Sequence, residues 1–209
     1  MRQLPDDFIA HLDATAAAYL THSDPIRQSG FGGGAARWRA EREPILDAVN
    51  RPGALIDIGC ANGYLLHCLE AWGTARALRI DPFGLDISTA LIERARTRFP
   101  GREDHFYVGN AWSWEPPRRF DFVYSLYDCV PETYLEDYVR RLLARVVAPG
   151  GRLILGAYGS RTRRLPAFDV AAFMRTAGIP VVGQRTVGSI PEAQFAWTQL
   201  AWAEAAPAE

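Results

Sequence analysis

Apolar side chains at Phe8, Ile9, Leu12, Ala16, Tyr19 and Leu20 return every three to four residues. That is the spacing of one helical face, and it predicts a helix over 6–20. SGFGGG at 29–34 interrupts the pattern, because Gly30, Gly32, Gly33 and Gly34 hold a regular element poorly. A loop and candidate hinge are expected there, with a second helical run over 35–50. From Pro52 the period changes. ALIDIG is a continuous apolar run ending in a glycine-rich turn, which suits a strand buried on both faces. Helical GYLLHCLEAW follows, then a strand at FGLD, a helix over 89–99 and a strand at HFYVG. FDFVYSLY predicts another strand. The stretch 132–146 predicts a helix whose apolar side takes Tyr134, Leu135, Tyr138, Val139, Leu142, Leu143 and Val146. APGG turns into the strand RLILGAY, a helix follows near 168–177, and two strands close the chain near 179–187 and 194–202.

Strands alternating with helices predict an α/β fold: seven strands, mostly parallel, with helices on both faces. The last two strands are joined only by the short SIPEA turn. A parallel crossover needs a dozen or more residues, so this pair is expected to be antiparallel. Residues 1–50 are read as a helical lid or cap and 51–209 as the core; 209 residues suffice for one such core without staples.

Composition then narrows the chemistry. The 23 basic and 24 acidic residues leave a net charge of −1, so no overall field favours nucleic acid or an anionic membrane. Every basic residue is arginine. Without lysine there is no Schiff-base chemistry and no phosphate loop of the usual kind. Cys60, Cys68 and Cys129 form no CxxC pair, and His11, His22, His67 and His105 are scattered, so no metal site is suggested. No apolar run approaches a membrane span, and MRQLPDDFIA lacks a signal-peptide core, so a cytoplasmic protein is expected.

Chemistry concentrates at the strand ends. Asp57 sits in an apolar strand near its carboxyl end, where burying a carboxylate is costly unless something pairs with it. In an open α/β sheet, ligands gather at those ends. Gly59 permits a sharp turn and Gly63 a close approach at the next helix, although such a turn also serves purely structural ends. Asp86 ends the next strand, where an acid commonly takes ribose hydroxyls; it or Ser88 is equally placed to cap the following helix. GNAW sets the Asn110 amide beside the Trp112 indole, which suits a purine edge and face, or else a turn and a core tryptophan.

DIGCANG, FGLD, VGNAW, FDFVYSLYD and APGGRLIL, in this order, resemble the class I S-adenosylmethionine-dependent methyltransferases over about 54–202. The resemblance implies a Rossmann-like sheet and S-adenosyl-L-methionine as cofactor. It implies that Asp57, Gly59, Cys60, Ala61 and Gly63 surround the methionine portion. Asp86 and Ile87 would meet the ribose, and Asn110, Ala111 and Trp112 the adenine. Ser125, Leu126, Tyr127 and Asp128 would face the sulfonium and acceptor. Ala61 stands where this family often has glycine, and Asn110 where it often has aspartate. A dehydrogenase is the competing reading of such a turn. Its GxGxxG fingerprint is absent, and Asp57 would face a pyrophosphate unfavourably while suiting an ammonium group.

Methyl transfer asks the protein for positioning and, with some acceptors, for removal of a proton. Asp128 and Tyr127 are the expected catalytic residues, with helix capping the alternative for Asp128. Phe31, Trp38, Tyr134 and Arg161 are expected at the acceptor; Arg161 belongs with Arg163 and Arg164 to a cluster that holds an anion or is simply solvated. The expected acceptor is a small molecule methylated at N, O or S. An RNA or protein acceptor docked by the N-terminal helices, and a non-catalytic cofactor-binding module, are the alternatives.

Overall fold

The apolar run after Pro52 forms the first strand, β1 (Gly53–Ile58), and it is buried along nearly its whole length, as a parallel strand between two helical layers must be. The computed structural model describes residues 3–160, 165–188 and 197–207. Further strands are β2 (Ile80–Asp86), β3 (Phe106–Val108), β4 (Phe120–Leu126), β5 (Val147–Tyr158), β6 (Gly183–Val187) and β7 (Thr198–Glu204). They form one sheet in the order β3-β2-β1-β4-β5-β7-β6. The first five run parallel, and β7 is antiparallel to both β5 and β6. The antiparallel ending follows the expectation; the SIPEA turn itself lies outside the described residues.

The helices are α1 (Asp6–Leu20), α2 (Ala35–Arg42), α3 (Tyr64–Ala75), α4 (Thr89–Arg98), α5 (Leu135–Arg141) and α6 (Val170–Thr176). One sheet face is covered by Tyr138 and Val139 of α5, then Leu142, and Met174 of α6. The other face meets Ile45 and Leu46, Leu66 and Leu69 of α3, and Ile92 of α4. Both layers follow from the helical spacing of apolar residues read off the chain.

Three elements depart from expectation. The helix expected over 35–50 ends at Arg42 and tightens into a 3₁₀ turn over Glu43–Ala48, because Pro44 has no N–H to continue the α ladder. The helix expected over 132–146 is three windings in succession: 3₁₀ over Glu132–Tyr134, α over Leu135–Arg141 and π over Leu142–Val146. APGG lies within β5, where the pairing with β4 jumps from Phe120–Val147 to Phe122–Arg152. Gly150 takes a left-handed φ of +67° there, so the expected turn is a bulge inside a continuing strand.

Winding reverses between β1 and β4, which are neighbours in the sheet. Connections leave their carboxyl ends in opposite directions, opening a crevice at that point. Among the described residues no helix is long and apolar enough to cross a membrane.

Candidate functional site

The crevice is built on the turn after β1. Gly59 and Cys60 both donate backbone N–H groups to the Leu85 carbonyl, at 2.7 and 3.0 Å, which ties the turn to the end of β2. Ala61 holds a left-handed φ of +47°, a conformation that suits glycine better than alanine. Its N–H donates to Asp86 Oδ2 at 2.9 Å, and Ser88 N–H donates to Oδ1 at 2.9 Å. Asp86 therefore braces the turn with both oxygens, and each oxygen retains a further acceptor position. Ser88 caps α4 by accepting from Leu91 N–H, so capping falls to Ser88 rather than Asp86. Asn62 anchors the other side of the turn. Its amide donates to the carbonyl of Pro25 at 3.1 Å and to Gln28 Oε1 at 3.0 Å, while Ser29 Oγ donates to its Oδ1 at 3.0 Å.

Two cavities open around this turn. The first, of about 280 Å³, lies between α1 and the ends of β2 and β4. Asp86, Ile87, Gly109 and Ala111 line it from the sheet, and Phe8, His11, Leu12, Thr15, Ala16 and Tyr19 from α1. The second, of about 480 Å³, runs from Asp57, Cys60 and Ala61 to Phe31, Trp38, Glu41, Arg42, Tyr124 and Tyr158. Tyr19, Gly59, Leu126 and Asp128 line both. Gly59 is required where they meet, since a Cβ there would stand 3.2 Å from Cys129 Sγ on top of a φ of +87°.

Three acids of the site, Asp57, Asp86 and Asp128, are pushed towards neutrality. Burial, followed by the charge of Asp86, raises the Asp57 carboxyl from 3.8 to about 8, and the residue is only 3% exposed. Burial also raises Asp86, against the amides of Ser88, Ala61 and Ile87 that favour its ionised form. Asp128 is raised by burial, against its own backbone amide and His11. Burial pushes the Cys129 thiol to about 12, so it is no nucleophile at neutral pH.

A consequence for stability follows. Between pH 3.8 and about 8 the folded chain keeps the Asp57 proton while the unfolded chain gives it up, so stability falls as pH rises through that window. Asp57→Asn keeps the neutral shape. Its melting temperature should match the parent near pH 4 and exceed it by several degrees at pH 8, since 1 kcal/mol shifts Tm by roughly 2–4 °C at this size. Thermal melts across pH check this; a parent curve as flat as that of the variant counts against a buried, protonated Asp57.

Of the residues expected at a site, Asp57, Gly59, Cys60, Ala61, Asp86, Ile87, Ala111, Leu126, Asp128, Phe31 and Trp38 line one cavity or both. Gly63 shapes the turn from beneath, where a Cβ would stand 3.0 Å from that of Ala95. Asn110 Oδ1 accepts from Trp112 N–H in a local turn, and Trp112 is buried against Tyr134. Ser125 is buried and bonded to the Tyr138 hydroxyl at 2.8 Å. Tyr127 stacks on Phe168 outside both cavities, and Tyr134 donates its hydroxyl to the Gln3 carbonyl. Arg161, Arg163 and Arg164 lie outside the described residues. Tyr19, Glu41, Arg42, Tyr124 and Tyr158 line the cavities without having been singled out in the sequence. Each reads locally as an ordinary helix or strand residue and meets the site only through the fold.

Residues 55–151 match the family model of the methyltransferase domain. The whole chain is similar in fold to the Burkholderia thailandensis 1,6-didemethyltoxoflavin-N1-methyltransferase, with bound 1,6-didemethyltoxoflavin and S-adenosylhomocysteine. Identity is 17% and the TM-score 0.64, over 99% of this chain and 92% of that one. It is also similar to the methyltransferase in complex with the Haloferax volcanii Trm112 methyltransferase activator, at 16% identity and a TM-score of 0.61, over 93% and 99% of the two chains. A Mesorhizobium loti S-adenosylmethionine-dependent methyltransferase aligns at 17% identity and a TM-score of 0.55, over 82% and 98%.

Proposed function

We propose that this chain, a class I S-adenosylmethionine-dependent methyltransferase, moves the methyl group to a nitrogen, oxygen or sulfur of a small molecule. The observation that carries this reading is the second cavity. At about 480 Å³ it has the size of a small-ligand pocket, and residues of the first 50 roof it over the sheet crevice. The Burkholderia neighbour, whose fold spans nearly the whole chain, holds a small heterocycle, which supports the same reading. The Haloferax neighbour stands with an activator protein, and a macromolecular acceptor is the outcome that would replace ours.

The residues present fit the cofactor. Asp57 offers a buried carboxyl that no hydrogen bond reaches among the described residues, and Gly59 leaves a cradle that a Cβ would close. In our reading Asp86 takes the ribose hydroxyls with its two spare acceptor positions, and Ile87, Gly109 and Ala111 border the adenosine end. Asp57, Cys60 and Ala61 border the methionine end. S-adenosylmethionine supplies a methyl group already activated on a sulfonium. The protein's part is then to hold the acceptor in line and exclude water. Asp128 stands where the two cavities meet, and its raised carboxyl is suited to accept a proton from an acceptor that must lose one. Residues 1–50 act as cover and 51–209 as core.

Two measurements test this. Incubation with methyl-labelled cofactor and a cell extract, separated by size, should place the label in small metabolites; label in RNA or protein would overturn the acceptor class. Calorimetry with S-adenosylhomocysteine reports on Asp57. An ammonium group beside a carboxyl held at about 8 draws its proton off, so binding at pH 7 should release close to one proton and tighten as pH rises towards 8. Asp57→Asn should abolish that release and weaken binding about tenfold or more.

A further inference from the structure

A third cavity, of about 400 Å³, opens on the outer side of the turn after β1 and shares no lining residue with the two cavities of the crevice. Arg94 and Arg98, one turn apart on α4, line it together with Ser23, Pro25 and Gln28 from the segment after α1. Like charges at this helical spacing repel, so the pair is kept at a cost. Other arginines close by in the chain are matched by acids, Arg96 by Glu93 at 2.7 Å and Arg102 by Glu70 at 2.8 Å; among the described residues Arg94 and Arg98 have no such partner. Arg98 is half-buried, and burial holds its guanidinium below its ordinary value, with only Tyr64 and Cys68 opposing. Its Nε donates to the Asn62 carbonyl at 3.2 Å, and its guanidinium carbon lies 5.1 Å from the centre of the Tyr64 ring. Both terminal nitrogens of Arg98 are left without an acceptor among the described residues. The acid of the facing segment, Asp24, is taken by the N–H groups of Ile26 and Arg27, at 3.3 Å each. The cavity thus gathers two unmatched cations and no carboxylate to answer them.

We infer that this cavity is a phosphate site: Arg94 and Arg98 clamp a phosphate group, free or carried on a small molecule, at the back of the turn that borders the crevice. A dianion answers two unmatched guanidinium groups, and their planar forks give it paired N–H donors. Three of the lining residues also hold Asn62. Pro25 and Gln28 accept from its amide at 3.1 and 3.0 Å, and Arg98 donates to its carbonyl. A phosphate that fixes Arg98 therefore fixes Asn62, between Ala61 and Gly63, and orders the turn before the cofactor arrives. By linkage each ligand then tightens the other. The site itself stands on the cavity alone, while the coupling rests on reading the crevice as the cofactor site.

Calorimetry on the full chain at fixed ionic strength tests the site with inorganic phosphate, phenyl phosphate and acetate, at first with no nucleoside present. The parent should bind phosphate and not acetate, and Arg94→Gln should weaken phosphate by about tenfold or more. Arg94 is exposed, and no ion pair ties it to the fold among the described residues, so this variant keeps the structure. Arg98→Lys keeps the second charge without the fork and should weaken phosphate as well. Tighter binding of phenyl phosphate than of inorganic phosphate identifies a phosphorylated small molecule as the ligand, and the reverse order identifies phosphate itself. Phosphate bound equally by the parent and Arg94→Gln, or no better than acetate, would make the arginines a solvated pair and overturn the proposal. S-adenosylhomocysteine is then titrated with and without phosphate. Its affinity should rise about fivefold in the parent and stay constant in Arg94→Gln. Phosphate bound with no such rise would overturn the link to the turn. A parent that binds no S-adenosylhomocysteine would instead bring down the reading of the crevice, and phosphate binding would still decide the site.

Discussion

Asp86→Ala should weaken S-adenosylhomocysteine binding by about thirtyfold and lower the melting temperature at the same time. The affinity loss corresponds to about 2 kcal/mol for two charge-assisted hydrogen bonds to ribose hydroxyls. The stability loss comes from the two backbone amides that Asp86 holds, Ala61 N–H and Ser88 N–H. Losing the first releases an alanine already in a left-handed conformation, so the turn between Gly59 and Gly63 loosens. The two effects separate with a ligand lacking the hydroxyl groups. The parent should bind S-adenosylhomocysteine much more tightly than its 2′,3′-dideoxy counterpart, and Asp86→Ala should bind both alike. An equal preference in the two proteins would leave Asp86 as a brace for the turn and remove it from the ribose.

Deleting residues 1–20 should cut methyl transfer by a hundredfold or more while leaving the sheet folded and S-adenosylhomocysteine binding within about tenfold of the parent. Helix α1 supplies six lining residues of the first cavity, yet Ala16 alone among its side chains is buried. It rests on a small cluster of Ala16, Ala61 and Leu91, so little core is lost with it. Water entering the open cavity would disturb the alignment that the transfer needs. The cut belongs at residue 20. Gln28 and Ser29, where SGFGGG begins, bond Asn62 of the turn after β1, so removing residues up to 28 would take the Pro25 and Gln28 partners of that turn away. Asn62 thus holds Pro25, Gln28 and Ser29 to the turn after β1, which is why the shorter deletion is the cleaner test of α1 as a cover. Turnover at the full-length rate after the shorter deletion, or loss of the fold, would end the reading of α1 as a cover.

The sheet and one half of the site were legible in the sequence, for a physical reason. A carboxylate at the end of an apolar strand, followed by glycine, is a local pattern with few cheap explanations, and Asp57, Gly59 and Asp86 all stand at the crevice. The other half is assembled from distant segments. Arg42 reads as a solvated arginine in a last helical turn, until the fold brings Tyr158 from the end of β5 over it. Tyr124 reads as strand core, and only its 2.6 Å contact with the Tyr158 hydroxyl, beside the second cavity, marks it as part of the site. Trp112 shows the opposite case: its sequence suits a purine face or a core tryptophan alike, and only tertiary packing reveals that it is buried against Tyr134. The stretch 132–146 kept its apolar stripe through three windings, because periodicity reports which face is buried and not how the backbone closes its hydrogen bonds.

Placing β7 between β5 and β6 has a consequence for how the protein is made. On the ribosome β5 emerges with one edge paired to β4 and the other bare, because the strand that covers it is the last of the seven. Even β6, made earlier, finds its partner only in β7. At about 5–20 residues per second, the apolar edge of Leu153, Ile154 and Leu155 waits several seconds for Ala203, Trp202 and Ala201. An open edge of that composition is a template for pairing with another chain. Slow translation through 159–197, or a chain cut short before Thr198, should therefore yield aggregates rather than a soluble five-stranded fragment.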